Sequence, residues 1–241
     1  MFEYLTIEDK LDFIDDLKQY EYLSNEKWDM LAELVKDEEQ EIRLNVSEIL
    51  ALFPTEMSEK LLLYLLNDSN YLVRASACDS LSFSKSEETL HKLLLLTNDK
   101  KYLVRGYAIL SIGDIQLKVN SNFNLTIEYL MRLESEEKSQ WVKIAIYRSL
   151  FLLGDLSYYK ELLCMIENRY YHNRSFALSL IEELVDNNRC CELIDLETTL
   201  KNRLLTERAY SVKLKLYKIL DKVTKQKQTQ GDGSVCSSND K

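Results

Sequence analysis

The stretch NDSNYLVRASACDSLSFS runs from Asn67 to Ser84, and NDKKYLVRGYAILSIGDI runs from Asn98 to Ile115, 31 residues further on. Written one above the other, the two share Asn-Asp, then Tyr-Leu-Val-Arg, then apolar residues four apart. Let the valine of YLVR be position 0. Val73, Ala77 and Leu81 then stand at 0, +4 and +8, as do Val104, Ala108 and Ile112. A spacing of four keeps side chains on one face of an α-helix, so the phrase predicts a helix with a buried stripe, written twice.

Weaker copies keep the same register. Ile42, Val46 and Leu50 fit, as do Val142, Ile146 and Leu150, and Val212, Leu216 and Leu220; a sixth copy has Ala177 and Ile181 but Asn173 at zero. The six anchors are 31, 31, 38, 31 and 39 residues apart. Position +1 is always basic: Arg43, Arg74, Arg105, Lys143, Arg174 and Lys213. Position −5 is acidic or its amide: Asp37, Asp68, Asp99, Glu137, Asn168 and Glu207. Upstream, Leu31, Leu34 and Val35 sit at −11, −8 and −7, matched by Leu62, Leu65 and Leu66 and by Leu162, Met165 and Ile166. The fourth unit shifts the pattern to Ile127, Leu130 and Leu133. Each unit therefore reads as helix, short polar turn, helix. One hairpin cannot bury both its faces alone, so neighbours must stack.

Composition agrees. The 241 residues include 5 glycines and a single proline, Pro54, too few for the turns of a β-rich chain. No run of 18 apolar residues predicts a membrane span, and the opening MFEYLTIEDKLDF lacks the basic and apolar regions of a secretory signal. Five cysteines, an odd number without a CxxC pair, read as reduced thiols in a cytoplasmic protein. Thr6 and Asp9 form a capping-box pattern, and Leu11, Ile14 and Leu17 give the helix after it one apolar face. Residues 1–24 are thus expected to be an N-terminal cap helix, 25–224 the hairpin stack and 225–241 a disordered tail. Gly113 and Gly154, each followed by Asp, are expected as left-handed helix C-caps, and Pro54 as the stop after the first second helix. Ser121–Asn124 and Asp186–Cys191, in the two long spacings, are expected loops.

Asp at the turn, Val-Arg, Ala, then Leu or Ile at intervals of four resembles the HEAT repeat. The short 31-residue period resembles that of the HEAT-like repeats of bilin lyases. The resemblance covers about Glu26 to Lys222. It implies an all-α fold, a right-handed α-solenoid of about six helical hairpins behind a cap helix. It also implies a range of functions, since such solenoids serve as adaptors, scaffolds, inhibitors and, in some cases, enzymes.

Motifs for chemistry are absent. There is no HExxH, GxGxxG, P-loop or GxSxG, and His91 and His172 fall in different units without metal-site spacing. Nothing near Cys190 and Cys191 marks an activated thiolate. No metal and no cofactor is expected. The charges of Asp37, Arg43, Asp68, Arg74, Asp99, Arg105, Lys143, Arg174 and Lys213 read as a structural ladder tying adjacent turns. Position −2 carries Tyr71, Tyr102, Tyr171 and Tyr210, either a packing ridge or a row of amphipathic anchors for a partner. Tyr147, Arg148 and Phe151, at +5, +6 and +9, turn away from the core stripe and are expected to face the groove, where Ala75 and Gly106 at +2 leave room. These seven residues are the candidate partner-binding set.

The function expected on these grounds is non-catalytic binding of another protein, as adaptor, scaffold or inhibitor. Its sharper form is a cytosolic inhibitor of a basic protein or toxin, favoured by the net charge of −9. The alternative is a HEAT-like enzyme, bilin-lyase-like or DNA-glycosylase-like. Nucleic acid is disfavoured: 40 acidic residues face 31 basic ones, and Trp141 has Ala145, not a carboxylate, at +4. The charge is uneven. Met1–Glu41 holds 14 acidic and 4 basic residues, Lys201–Lys227 9 basic and 2 acidic. This suits a monomer or weak head-to-tail self-association.

Overall fold

The computed structural model describes residues 5–119, 123–189 and 193–232, which form thirteen α-helices and no strand. Helix α1 (Ile7–Asp16) comes first. Six hairpins follow: α2 (Asn25–Leu34) with α3 (Gln40–Leu50), α4 (Glu56–Leu65) with α5 (Tyr71–Ser80), α6 (Glu87–Leu96) with α7 (Tyr102–Gln116), α8 (Phe123–Glu136) with α9 (Gln140–Leu152), α10 (Ser157–Cys164) with α11 (Tyr171–Asp186), and α12 (Leu193–Thr206) with α13 (Tyr210–Asp232). The chain divides between Leu153 and Gly154 into two compact units. In the first, α1 packs on α3, α3 on α5, α5 on α7 and α7 on α9, a continuous row of second helices. In the second, α13 packs on both α11 and α12.

The register predicts the core. At position 0, Ile42, Val73, Val104, Val142 and Val212 are wholly buried, and so are Val46, Ala77, Ala108, Ile146, Ala177 and Leu216 at +4. Burying each of the larger aliphatic side chains contributes about 1.5–3 kcal/mol. The odd residue at zero, Asn173, is buried too, and its amide donates to Asn168 Oδ1 at 3.1 Å.

Helices α2, α4 and α6 start on hydroxyl caps. Ser24, Thr55 and Ser86 accept from the backbone N–H groups of Lys27, Ser58 and Thr89. Thr6 caps α1 with the reciprocal box expected: Asp9 N–H donates to Thr6 Oγ1 at 3.1 Å and Thr6 N–H to Asp9 Oδ2 at 2.9 Å.

Three expectations change. Gly154 does take the left-handed region after α9, with φ +110°. Gly113 does not: it lies inside α7, where a Cβ would stand 2.8 Å from Ser149 Oγ of α9, so it is a contact glycine and not a cap. Helix α13 continues past residue 225 to Asp232, and the rest of the expected tail, residues 233–241, lies outside the described residues. Of the two expected loops, residues 120–122 and 190–192 lie outside the described residues as well, while Phe123 and Asn124 already belong to α8.

Candidate partner-binding site

The turns fix how the second helices present their faces. In every hairpin the residue at −5 accepts from the backbone N–H two positions on, and so starts the second helix. Asp37 takes Glu39 N–H at 2.9 Å, Asp68 takes Asn70 N–H at 2.8 Å, Asp99 takes Lys101 N–H at 2.8 Å and Glu137 takes Ser139 N–H at 2.7 Å. Asn168 takes Tyr170 N–H at 3.1 Å and Glu207 takes Ala209 N–H at 2.8 Å. The same carboxylate receives the arginine of the hairpin before it. Arg43 reaches Asp68 at 2.5 and 3.0 Å, Arg74 reaches Asp99 at 2.9 and 3.1 Å, and Arg105 reaches Glu137 at 2.8 and 3.0 Å. The third guanidinium nitrogen turns back to its own turn: Arg74 Nη1 donates to the carbonyls of Asp68 and Ser69 at 2.7 and 3.1 Å. Lys10 of α1 opens the series on Asp37, at 2.6 Å.

These bonds tie adjacent turns, with two variations. Lys143 lacks the fork and bonds Glu134 on its own hairpin's first helix, at 3.0 Å. In the second unit Arg174 holds Glu207 at 2.8 and 2.7 Å, both side chains buried. Burial drives the Glu207 carboxyl upward, but the Arg174 guanidinium, the Ala209 amide and Arg203 outweigh it and bring the group down to about 2. Burial also opposes ionisation of Asp68 and Glu137, and Arg43 and Arg105 likewise leave both below the usual carboxylate range.

Across α3, α5 and α7 lies a hollow of about 350 Å³ lined by Glu48, Ala51, Ser76, Asp79, Ser80 and Tyr107. Glu48 and Asp79 are equivalent residues, both at +6, and both are exposed. Ser47 and Ser76 join hydroxyls beside it. The Tyr107 ring meets the Trp141 edge at 5.3 Å between centroids. Burial, then the nearby Asp79 charge, push the Tyr107 phenol upward, so it stays protonated as a hydrogen-bond donor. The hollow thus offers two carboxylates and three hydroxyl groups, with no cation among its lining residues. That set suits a positively charged side chain.

The residues expected from sequence separate into three groups. Tyr147, Arg148 and Phe151 are only 5%, 3% and 5% exposed, so they form no surface patch. Arg148 Nη1 lies 2.8 Å from Asp114 Oδ1 and donates to the Leu110 carbonyl at 3.4 Å, joining α9 to α7. The room foreseen at Gly106 is filled by the Trp141 ring, which a Cβ there would strike. Tyr71 lies under the Lys101 ammonium, 5.0 Å from the ring centroid, and Tyr102 packs edge-on to Trp141 at 5.8 Å, as a ridge between hairpins does. Tyr171 and Tyr210 are exposed, and Tyr171 meets His172 edge-on at 5.8 Å. Glu48, Ser76, Asp79 and Tyr107 were absent from the expected set; the signal for them is the pair of acids at +6 in the first two copies. Among the described residues, no group of three or more His, Cys, Asp or Glu is placed to hold a metal ion, and no helix is long and apolar enough to cross a membrane.

Residues 29–113, most of the first three hairpins, match the family model of HEAT repeats. No curated protein matches the sequence. Among solved structures, the chain is similar to one described as the complex of CpcE and CpcF of phycocyanin lyase from Nostoc sp. PCC7120. The two are 15% identical, the alignment covers 92% of this chain and 91% of that one, and the TM-score is 0.59. At that identity the likeness is one of fold.

Proposed function

We propose that this stack of HEAT-like hairpins is a non-catalytic protein-binding module whose first unit takes a basic segment of a partner protein along its second helices. One observation carries the reading: Glu48 and Asp79 stand at the same position of successive hairpins, beside the Tyr107 phenol, in one hollow. A lysine or arginine seated there meets two carboxylates, and the −9 net charge speeds its approach. An adaptor, a scaffold and a cytosolic inhibitor of a basic protein all use such a surface.

The test begins with partner capture from the host at low and high salt, followed by rate measurements on the captured protein. Glu48→Lys with Asp79→Lys is expected to weaken binding at least about tenfold while leaving the melting temperature unchanged, since both side chains are exposed. Unchanged binding would remove the hollow from the interface. Reversal of Asp12, Asp15, Asp16 and Glu38 is expected to slow association at low salt only, and an unaltered rate would end the steering idea. The alternative of a lyase-like enzyme draws its support from the shared fold with the phycocyanin lyase complex. Visible pigment absorbance in the captured material would favour it over a protein partner.

A further inference from the structure

Helices α11 and α13 of the second unit meet along a polar seam. Lys215, Lys218 and Lys222 lie on one face of α13, at i, i+3 and i+7. Ser175, Ser179, Glu182 and Asp186 lie opposite on α11, at i, i+4, i+7 and i+11. Two of the lysines meet acids. Lys218 Nζ stands 2.8 Å from Glu182 Oε1, and Lys222 Nζ stands 2.6 Å from the same oxygen and 2.7 Å from Asp186 Oδ2. The third does not. Lys215 Nζ donates to the Ser175 carbonyl at 3.1 Å and to the Ser179 hydroxyl, and among the described residues no carboxylate stands within ion-pair distance of it. The Ser179 hydroxyl donates to the same carbonyl, also at 3.1 Å. Seven residues apart on one helix, Lys215 and Lys222 thus have neutral and charged partners respectively.

The partners act on the proton. Bonds to Asp186 and then Glu182 hold the Lys222 ammonium above the ordinary lysine value. Partial burial pushes the Lys215 ammonium the other way; the Glu182 charge opposes that push and the Lys218 charge adds to it. On α12, Glu197 takes Lys201 and Lys227, and Arg203 holds Glu207; on α13 itself, Asp221 takes Lys225. A neutral amine has the lone pair that attacks an electrophile, and an ammonium does not. Lys215 is also only partly buried, so a small reagent reaches it. Three ammonium groups face two carboxylates along the seam, and that excess draws an anionic reagent. We infer that Lys215 is an acylation site that takes its acyl group from an acyl phosphate. The nitrogen bonds the acyl carbon, and the bond from that carbon to the bridging oxygen breaks. Phosphate leaves with the electron pair, and the nitrogen passes one proton to solvent. The product is a neutral amide whose remaining N–H still donates within the seam. The site shares no residue with the hollow of the first unit and goes beyond the binding reading.

The test is acetylation of the full chain, mapped lysine by lysine with mass spectrometry. Trace acetic anhydride, applied from about pH 6 to about pH 11, gives the titration profile of each amine. Lys215 is expected to reach half its plateau rate at lower pH than Lys222. With acetyl phosphate at about pH 7.5, Lys215 is expected to be modified at least about threefold faster than Lys222. Ser179→Asp sets a carboxylate where the hydroxyl stands, and is expected to raise the Lys215 midpoint and remove its advantage. Ser179→Ala adds no charge and is expected to keep both. Circular dichroism melts matching the parent establish that the variants fold, and the two parent measurements stand without them. A Lys215 midpoint at or above that of Lys222 overturns the inference. So does acetyl phosphate that modifies Lys222 as fast as Lys215 or faster. An advantage that survives Ser179→Asp overturns it too, because the neutral partners would then not be what frees the amine.

Discussion

Helices α5 and α7 open with the same four letters and end differently. Both begin on an aspartate that accepts the amide two residues on, and both send an arginine to the next turn. Helix α5 closes at Ser80 in a 3-10 turn, while α7 runs to Gln116. Two of the changed letters bear on the helix that follows. Ala75 in one is Gly106 in the other, and Ser82 is Gly113. At both glycines α9 comes close, with Trp141 over the first and Ser149 over the second. The shared letters set the turn and its charge link. The changed letters set how near the following helix comes.

That division can be broken most forcefully at Trp141. Trp141→Ala is expected to cost about 3–5 kcal/mol in thermal or urea unfolding. Gly106→Ala is expected to cost about 1–3 kcal/mol, because the new Cβ strikes the ring. The double variant should lose clearly less than the sum, and strict additivity would show that the glycine is not reserved for the ring.

The shared part is probed on the ladder. Arg174→Ala is expected to cost about 3–5 kcal/mol, since it leaves buried Glu207 facing Arg203 alone. Arg74→Ala and Arg105→Ala are each expected to cost roughly 1–3 kcal/mol, with closely matched losses, because their bonds are the same in kind and less buried. Lysine at either place should not restore stability, as it has no fork. Losses that differ widely between the two copies would mean that the turn is not a common element.

Acid sharpens the same point. Asp68, Glu137 and Glu207 titrate below their ordinary values in the fold, so their stabilisation is present above the ordinary carboxylate range and is lost as pH falls through the folded values. Urea midpoints are expected to drop between about pH 4.5 and pH 2, and less steeply in Glu207→Gln. The smallest effect is expected at Gly154, where alanine meets open space but keeps a φ of +110°; about 1 kcal/mol is lost through the backbone alone.

The hairpins were legible because the 0, +4 and +8 stripe is a property of one helix, written in its own residues. The ladder was legible as a pairing of types, but its reach was not: Arg74 and Asp99 are 25 residues apart, and only the stacking brings them together. Gly113 was misread because a glycine before an aspartate looks like a cap, and the approach of Ser149 that explains it is written 36 residues later. Arg148 was misread for a related reason. A helical wheel turns it away from its own core stripe, yet Asp114 and the Leu110 carbonyl of another hairpin wait on that side. Helix α13 outlasted its expected end because Lys–Asp pairing and side-chain bonds, such as Gln226 to the Val185 carbonyl at 2.7 Å, hold a segment too polar to signal burial.

Asp68, Asp99, Glu137 and Glu207 each belong to two hairpins at once, holding their own helix start and receiving the arginine from upstream. Each of the first three hairpins therefore carries one plug and one socket of a common pattern. Remove the 31 residues from Asp68 to Asn98, and Arg43 stands before Asp99 with the same fork and the same acceptor. Duplicate them, and a new matched pair arrives with the insert. A gene built of such pieces can lengthen or shorten by whole repeats without leaving an unmatched charge at the splice, while the helix faces between the joints are left to diverge.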